Sequence, residues 1–399
     1  MSRHVQLSLL GGSSQNDPQK RYRTTRYDFG SGAGESTQLF AQALLQHRRP
    51  ECLVILGTSG SMWDVLLEAF DCGKEDFGLE LIDAAQEDGI AAHHLDRLVA
   101  VLEPVLGIRV QLCLIPYGRT LEEQLAILQQ MAADIEPGDR VNLDVTHGLR
   151  HLPMLAQMSA LYLRQARQVH IEGIYYGALD MSRDGVTPVM DLKGLLDIAD
   201  WVGALHTFDK DGDYGVFQSL LAPQDRDTAT ALGEAAFFER TMRAGQARGQ
   251  LRAASQALDR QPLSGMARLF EPTLRERIDW MNQQRLYQRQ RALALQFLHR
   301  GDYLRACVYA FEAFITLQAQ LQGIGNAENT EVRSRVKDHF ETHQRNGSTF
   351  RYYRQLRGLR NKLAHGDQAQ TAELQLALSS AAQLDTTLQQ LIDQLLPVE

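Results

Sequence analysis

The stretch NLDVTHGLRHLP, residues 142–153, decides the fold of the first half of the chain. It begins as an apolar strand, breaks at Thr146, His147 and Gly148, and continues as a helix, so a buried strand runs into a helix with no hairpin between. The same unit recurs on both sides. Upstream, HVQLSLLG (4–11) reads as a strand followed by Gly-Gly-Ser-Ser, STQLFAQALLQHRR (36–49) as an amphipathic helix, and ECLVILG (51–57) as a near-continuous apolar strand. Such a run suits a strand buried on both faces, as in a parallel sheet. A helix within 61–70, helices across 79–105, the strand RVQLCLIP (109–116) and a helix over 120–135 follow. RVNLDV (140–145) enters the quoted stretch, whose helix covers 150–167, and VHIEGIYYGAL (169–179) and VTPVMDL (186–192) close the series. RYRTTRYDFG (21–30) alternates with period two and reads as a hairpin partner or edge strand. Repeated β-then-α units predict a doubly wound parallel sheet covered by helices.

Beyond residue 192 the strand pattern stops. KGLLDIADWVGALHTF (193–208) reads as a helix and DKDGDYG (209–215) as a polar break. From about 225 everything reads as helix, with polar loops near 322–330 and 344–348. The expected class is therefore α/β plus all-α. A Rossmann-like domain over 1–192 and a helical domain over 225–399 are joined by a connector helix and linker over 193–224.

At 399 residues, 44% hydrophobic and 23% charged, the chain has the composition of a globular protein of two domains. A net charge of −8 argues against wholesale polyanion binding, so any nucleic-acid contact has to come from local patches. The 35 arginines against 6 lysines favour bidentate phosphate contacts where arginines cluster, although genomic bias gives the same ratio. No apolar run approaches the roughly 18 residues of a membrane span, and MSRHVQLSLLGGSSQ is too short in its apolar part for a signal peptide. Cys52, Cys72, Cys113 and Cys307 are scattered with no CxxC pair. Neither a disulfide framework nor a metal site is expected, and a reducing cytoplasm is the simple location.

Two places carry candidate chemistry. The first is the set of turns at the carboxyl ends of the predicted parallel strands, where such sheets bind ligands and helix N-termini offer free N–H groups to phosphates. Gly11, Gly12 and Ser13 follow the first strand. Thr58, Ser59, Gly60 and Ser61 follow ECLVILG, with Trp63 as a stacking face. Thr146, His147 and Gly148 follow RVNLDV, with Arg150 close behind. No turn reads G-x-G-x-x-G or G-x4-G-K-[ST], so neither a dinucleotide nor a P-loop nucleotide is supported. The structural alternatives are equally concrete: Asp144 anchoring its turn, Trp63 in the core, His151 on a helix surface, Arg150 paired with a carboxylate.

The second place is LRGLRNKLAHGDQ, residues 356–368. At about 100° per helical residue, Asn361 and His365 share a face while Arg360 lies about 140° from His365. One helix converges the pair poorly, and two facing copies converge it well. Such a cleft offers RNA cleavage without a metal: a 2′-OH attacks the adjacent phosphate, His365 handles the proton, Arg360 stabilises the charge on phosphorus oxygens and Asn361 orients the imidazole or the phosphate. Arg351, Tyr352, Tyr353, Arg354, Arg357 and Lys362 surround it as a basic, aromatic-interleaved patch suited to single-stranded RNA, with Arg354, Arg357 and Lys362 the RNA-binding candidates. With 12 histidines in the chain, one Arg-x4-His pair is expected by chance, so the spacing alone does not decide between a site and a solvated face.

FLHRGDYLRACVYAFEAFI (297–315) followed by LRGLRNKLAHG (356–366) resembles the two signature segments of HEPN domains, helical ribonuclease modules that dimerise around an R-x4-6-H motif. Arg360 and His365 match its fixed positions and Asn361 the polar residue common after the arginine, while Tyr303, Tyr309, Phe311 and Phe314 read as core. DVTHG (144–148) resembles the Asp-x-Thr-His-Gly motif of CRISPR-associated CARF-domain proteins, Rossmann-like sensors of cyclic oligoadenylates in type III defence. LSLLG, YRTTRYDF and ILGTSGSMW resemble that group's first strands and loop. The resemblance implies a homodimer, with higher assemblies open, that binds a cyclic oligoadenylate through the turn residues named above, tetra-adenylate favoured over hexa-adenylate. It implies an RNA endonuclease without a cofactor and without a membrane partner. Two other readings stay open: a ring nuclease that cleaves the activator with help from Thr146 or His147, and a non-catalytic sensor.

Overall fold

The computed structural model describes residues 2–12, 22–30, 32–325, 329–345, 347–366 and 368–397. The chain divides into two compact units, Met1–Leu196 and Asp197–Glu399.

The first unit is an eight-stranded sheet. Its strands are β1 (His4–Leu9), β2 (Thr25–Asp28), β3 (Ala33–Thr37), β4 (Cys52–Gly57), β5 (Arg109–Leu114), β6 (Arg140–Asp144), β7 (His170–Gly177) and β8 (Val186–Asp191). Its helices are α1 (Phe40–Arg48), α2 (Val65–Ala69), α3 (Glu75–Gln86), α4 (Ala92–Leu106), α5 (Leu121–Ala132) and α6 (Leu152–Arg167). The spatial order is β3-β2-β8-β7-β6-β1-β4-β5. The five strands from β7 to β5 are mutually parallel, as the apolar runs predict. The other edge is mixed: β8 is antiparallel to β7, β2 parallel to β8, and β3 antiparallel to β2.

Strand β4 shows why its sequence lacks alternation. Leu53 and Ile55 face a layer with Leu66, Leu81 and Leu98, whereas Val54 and Leu56 face one with Ile127, Ala156 and Leu163. Both faces are covered, so every position is apolar.

β3 departs from the expectation of a helix starting at 36. Residues 36 and 37 end an edge strand held by pairing to β2, and the Thr37 hydroxyl accepts the Leu39 N–H (3.1 Å) before α1 begins at Phe40.

The second unit is helical. It contains most of α7 (Gly194–Asp211), then α8 (Gln218–Leu221), α9 (Arg226–Arg240), α10 (Ala244–Arg260), α11 (Ala267–Ile278), α12 (Leu286–His299), α13 (Tyr303–Leu321), α14 (Thr330–His343), α15 (Ser348–His365), α16 (Ala372–Ala377) and α17 (Ala381–Leu395). Its core is centred on α13, where Tyr309, Phe311 and Phe314 are buried and Tyr303 packs at the margin. The segment read as connector and linker contributes Trp201, Phe208, Tyr214, Phe217 and Leu221 to this same core. The polar break is short because α7 continues to Asp211 and ends at Gly212, whose φ of 72° suits a residue without Cβ.

Candidate functional site

The topological switch point of the first unit lies between β1 and β6: β4 and β5 extend the sheet to one side of β1, and β6 and β7 to the other. There the turns after β1 and β6 touch. A Cβ on Gly11 would stand 2.9 Å from the Gly148 backbone nitrogen, so neither the approach nor the Gly148 φ of 105° tolerates a side chain. The third turn locks onto the first. Ser61 Oγ accepts the Thr58 N–H (2.9 Å) and donates to the Leu10 carbonyl (3.1 Å), while Gly12 and Ser61 form an isolated antiparallel bridge.

Within DVTHG each side chain has a place. Asp144 is fully buried at the end of β6 and accepts the Thr146 N–H (2.8 Å), closing an Asx-turn. Burial pushes its carboxyl up to about 7, against the pull of bonds from Thr146 and Ser8. Thr146 Oγ1 accepts the Gly177 N–H from the end of β7 (2.8 Å). His147 is buried, and its Nε2 accepts the Phe40 N–H (3.3 Å), which places its proton on Nδ1. Its ring stacks on Tyr22 at 4.0 Å and 17°, and burial holds the imidazole down to about 4, so it is neutral.

Several sequence candidates thus turn out to be internal. Trp63 is 0% exposed and donates Nε1–H to the Thr58 carbonyl (2.9 Å), so it buttresses the turn and offers no stacking face. Thr58 and Ser61 are buried with it. Gly12 and Arg150 are exposed, and Ser59, Gly60, Thr146 and Gly148 are half-exposed; Ser13 lies outside the described residues. His151 is the residue before α6, and its Nε2 meets the Tyr117 carbonyl at 2.8 Å instead of facing solvent.

Sequence reasoning missed Tyr22 and the turn after β5. The Tyr22 hydroxyl accepts the Gly11 N–H (2.7 Å) and donates to the Gly11 carbonyl (3.0 Å). Tyr117 hydrogen-bonds Asp88 beside Gly60, and Arg119 lies over its ring at 4.6 Å. The available signal was position: Tyr117 and Arg119 directly follow a parallel strand, as the other turns do.

In the second unit, α15 buries Tyr353, Leu356 and Leu359 against α13 and α17 and leaves the opposite face in solvent. Arg360 is half-buried, with its guanidinium 5.2 Å from the Phe311 ring of α13 and Nη1 donating to Asn361 Oδ1 (2.9 Å). Asn361 and His365 are exposed. His365 is the last helical residue. Gly366 caps the helix at φ 68° with its N–H on the Lys362 carbonyl (2.8 Å). The structure therefore joins Arg360 to Asn361 and leaves His365 clear at the helix end. Arg357 is engaged elsewhere: it and the Tyr353 hydroxyl both reach Glu341 Oε1 at 2.5 Å. Burial works to raise the Glu341 carboxyl, but these two bonds outweigh it and hold the group below the usual carboxylate range. Arg354 is exposed, and Lys362 is half-exposed.

Residues 10–180, which span the three interlocked turns, match the family model described as the CARF domain of the CRISPR system endoribonuclease Csx1. The first unit is a CARF domain. CRISPR-associated protein MJ1674 of Methanocaldococcus jannaschii is 23% identical over 394 aligned positions, which cover 91% of this chain and 62% of that protein. The chain thus spans less than two thirds of its relative's length. Among solved structures, Enterococcus italicus Csm6 bound to cyclic hexa-2'-fluoro-hexa-dAMP superposes with a TM-score of 0.42 at 10% identity, covering 100% of this chain and 95% of that one. A likeness so distant transfers no residue role. The match to the CARF family ends at 180, before α7, so the helical unit is read from its own residues. Among the described residues, no helix is long and apolar enough to cross a membrane.

Proposed function

We propose that the chain is a homodimeric endonuclease for single-stranded RNA in type III CRISPR defence, switched on by a cyclic oligoadenylate held in the CARF domain. In this reading the helical unit is a HEPN domain. The observation that carries it is the exposed end of α15, where Phe311 and Asn361 steady Arg360 and His365 stands free at the surface. The angle of about 140° between Arg360 and His365 on one helix is bridged by a second copy. Cleavage then needs no metal. The RNA 2′-oxygen forms a bond to phosphorus as His365 relays its proton, the bond to the 5′-oxygen breaks, and Arg360 stabilises the equatorial oxygens. The products are a 2′,3′-cyclic phosphate and a 5′-hydroxyl. Asn361 positions Arg360, and Arg354 and Lys362 lie on the substrate side.

Dimerisation has a further support in the first unit. Met154, Met158 and Tyr162, at i, i+4 and i+8 on α6, are 69%, 49% and 49% exposed, an apolar stripe suited to a second copy. This helix begins just after the DVTHG turn, so a two-fold axis there brings two sets of turns together around one ring. Backbone N–H groups at Gly12, Ser59 and Gly60 and the Arg150 guanidinium are the available phosphate partners. The family resemblance makes tetra-adenylate the expected ring, ahead of hexa-adenylate. For activation, the ring must bind the aligned dimer more tightly than the resting one, and α7 is the continuous route between the units. His147 has its Nε2 already occupied by Phe40, which leaves it no free acceptor for cleaving the ring.

The test is substitution. His365→Ala and Arg360→Ala should each abolish RNA cleavage while leaving cyclic-oligoadenylate binding and dimer mass unchanged. Retained cleavage in His365→Ala would sink the assignment.

A further inference from the structure

The helical unit holds a groove that the Arg360, Asn361 and His365 chemistry does not use. It has a volume of about 580 Å³ and lies between the first half of α15 and the start of α16, with Arg345, Phe350, Arg351, Arg354, Glu373 and Leu374 among its walls. Three arginines face one carboxylate. Arg345 spends its Nε–H on the Glu341 carbonyl (2.9 Å), and Arg351 lies over the Tyr352 ring at 5.3 Å. Among the described residues Arg345, Arg351 and Arg354 form no ion pair, in contrast to Arg357, which Glu341 neutralises. Gly347 and Ser348 also line the groove and start α15 without a side-chain cap, so the helix dipole adds to the positive field. In a chain of net charge −8, three arginines without an ion pair around one groove make a local positive patch suited to a polyanion.

We infer that this groove binds the backbone phosphates of the RNA strand on one side of the bond to be cut. The inference rests on the ribonuclease reading of the α15 site. Arg354, Asn361 and His365 recur at seven and four residues, which keeps them within about 40° on one helix face, and Arg354 stands about 16 Å along the axis from His365. Between them α16 crosses low over Gly358, where a Cβ would meet Leu374 Cδ1 at 2.9 Å. A strand seated in the groove therefore passes the Leu374 shelf and reaches His365 only after a few nucleotides. The contacts go to phosphate, so they fix position and length requirement without reading bases. Short fragments are poor substrates for that reason.

The experiment uses the full-length protein and an uncleavable 2′-O-methyl oligonucleotide, whose binding is followed by fluorescence anisotropy across a salt series. Arg351→Ala/Arg354→Ala should weaken binding on the order of tenfold and flatten the log Kd against log salt slope by about 1.4, about 0.7 for each lost phosphate contact. A Lys pair at the same positions should restore most of both. In cleavage assays the loss should appear in KM with kcat kept. Neutral methylphosphonate linkages a few nucleotides from the scissile bond should hurt the wild type and not the variant. Equal binding and equal slopes in wild type and variant would overturn the groove assignment, whatever the cleavage result. Binding that depends on Arg351 and Arg354 in a protein that never cuts RNA would instead sink the ribonuclease reading and leave the groove standing.

Discussion

Asp144 and His147 sit three residues apart in one turn, and burial shifts each toward its neutral form. Asp144 keeps its proton in the fold up to about pH 7, whereas the unfolded chain loses it near 4. The stability this carboxyl contributes is complete below pH 4 and is lost as pH rises through 7. His147 has the opposite sign. It stays neutral in the fold down to about pH 4, while the unfolded chain takes up a proton below about 6.5, so its contribution is lost as pH falls across that window. Asp144→Asn should remove the first slope and keep the second, so that the urea midpoint rises with pH between 4 and 6.5 more steeply than in wild type. An unchanged pH profile would contradict the burial of that carboxyl. Trp63→Ala should cost about 3–5 kcal/mol by leaving a cavity under the Thr58 turn, read as a lowered urea midpoint; a cost below about 1 kcal/mol would mean an exposed ring. The DVTHG turn was legible in the sequence because Asp and Gly at those offsets have few other uses. The burial of Trp63 was not, since a tryptophan after a loop looks the same in a core or on a surface. The stacking of Tyr22 on His147 joins residues too far apart in sequence for any local pattern to show it.

At the level of elements, the parallel strands were readable because strands covered on both faces become continuous apolar runs. β3 was not, because Ala-Gly-Glu-Ser-Thr carries no strand signal of its own and is extended only through pairing with β2. Residues 193–224 read as a connector helix and linker because polar residues cluster at 209–215, yet Trp201, Phe208, Tyr214 and Phe217 fill the helical core. Helix α6 shows how an exposed face becomes a prediction. Met154→Glu/Met158→Glu places charges in the proposed two-fold contact and should shift the sedimenting species from dimer to monomer with the melting temperature of the CARF domain nearly unchanged. A dimer of undiminished stability would move the contact to another surface.

For the whole molecule, the sequence showed the order of the two halves, because short strand-like runs stop near residue 192 and helical periodicity takes over. It also showed the catalytic candidates, since Arg360 and His365 are local to one helix. Missing from it were the cross-helix partner Phe311, which steadies Arg360, and the groove between α15 and α16, because both arise from packing between segments separated along the chain. In the proposed mechanism, binding of a ring at one unit turns on cutting at the other. This coupling is tested most directly by cleavage of a fluorescent single-stranded RNA in EDTA, with no activator, with cyclic tetra-adenylate and with cyclic hexa-adenylate, for wild type and His365→Ala. The wild type should cleave only when a ring is present, most strongly with tetra-adenylate, and His365→Ala should not cleave at all. Cleavage at the same rate with and without a ring, or none under any condition, would contradict this coupling.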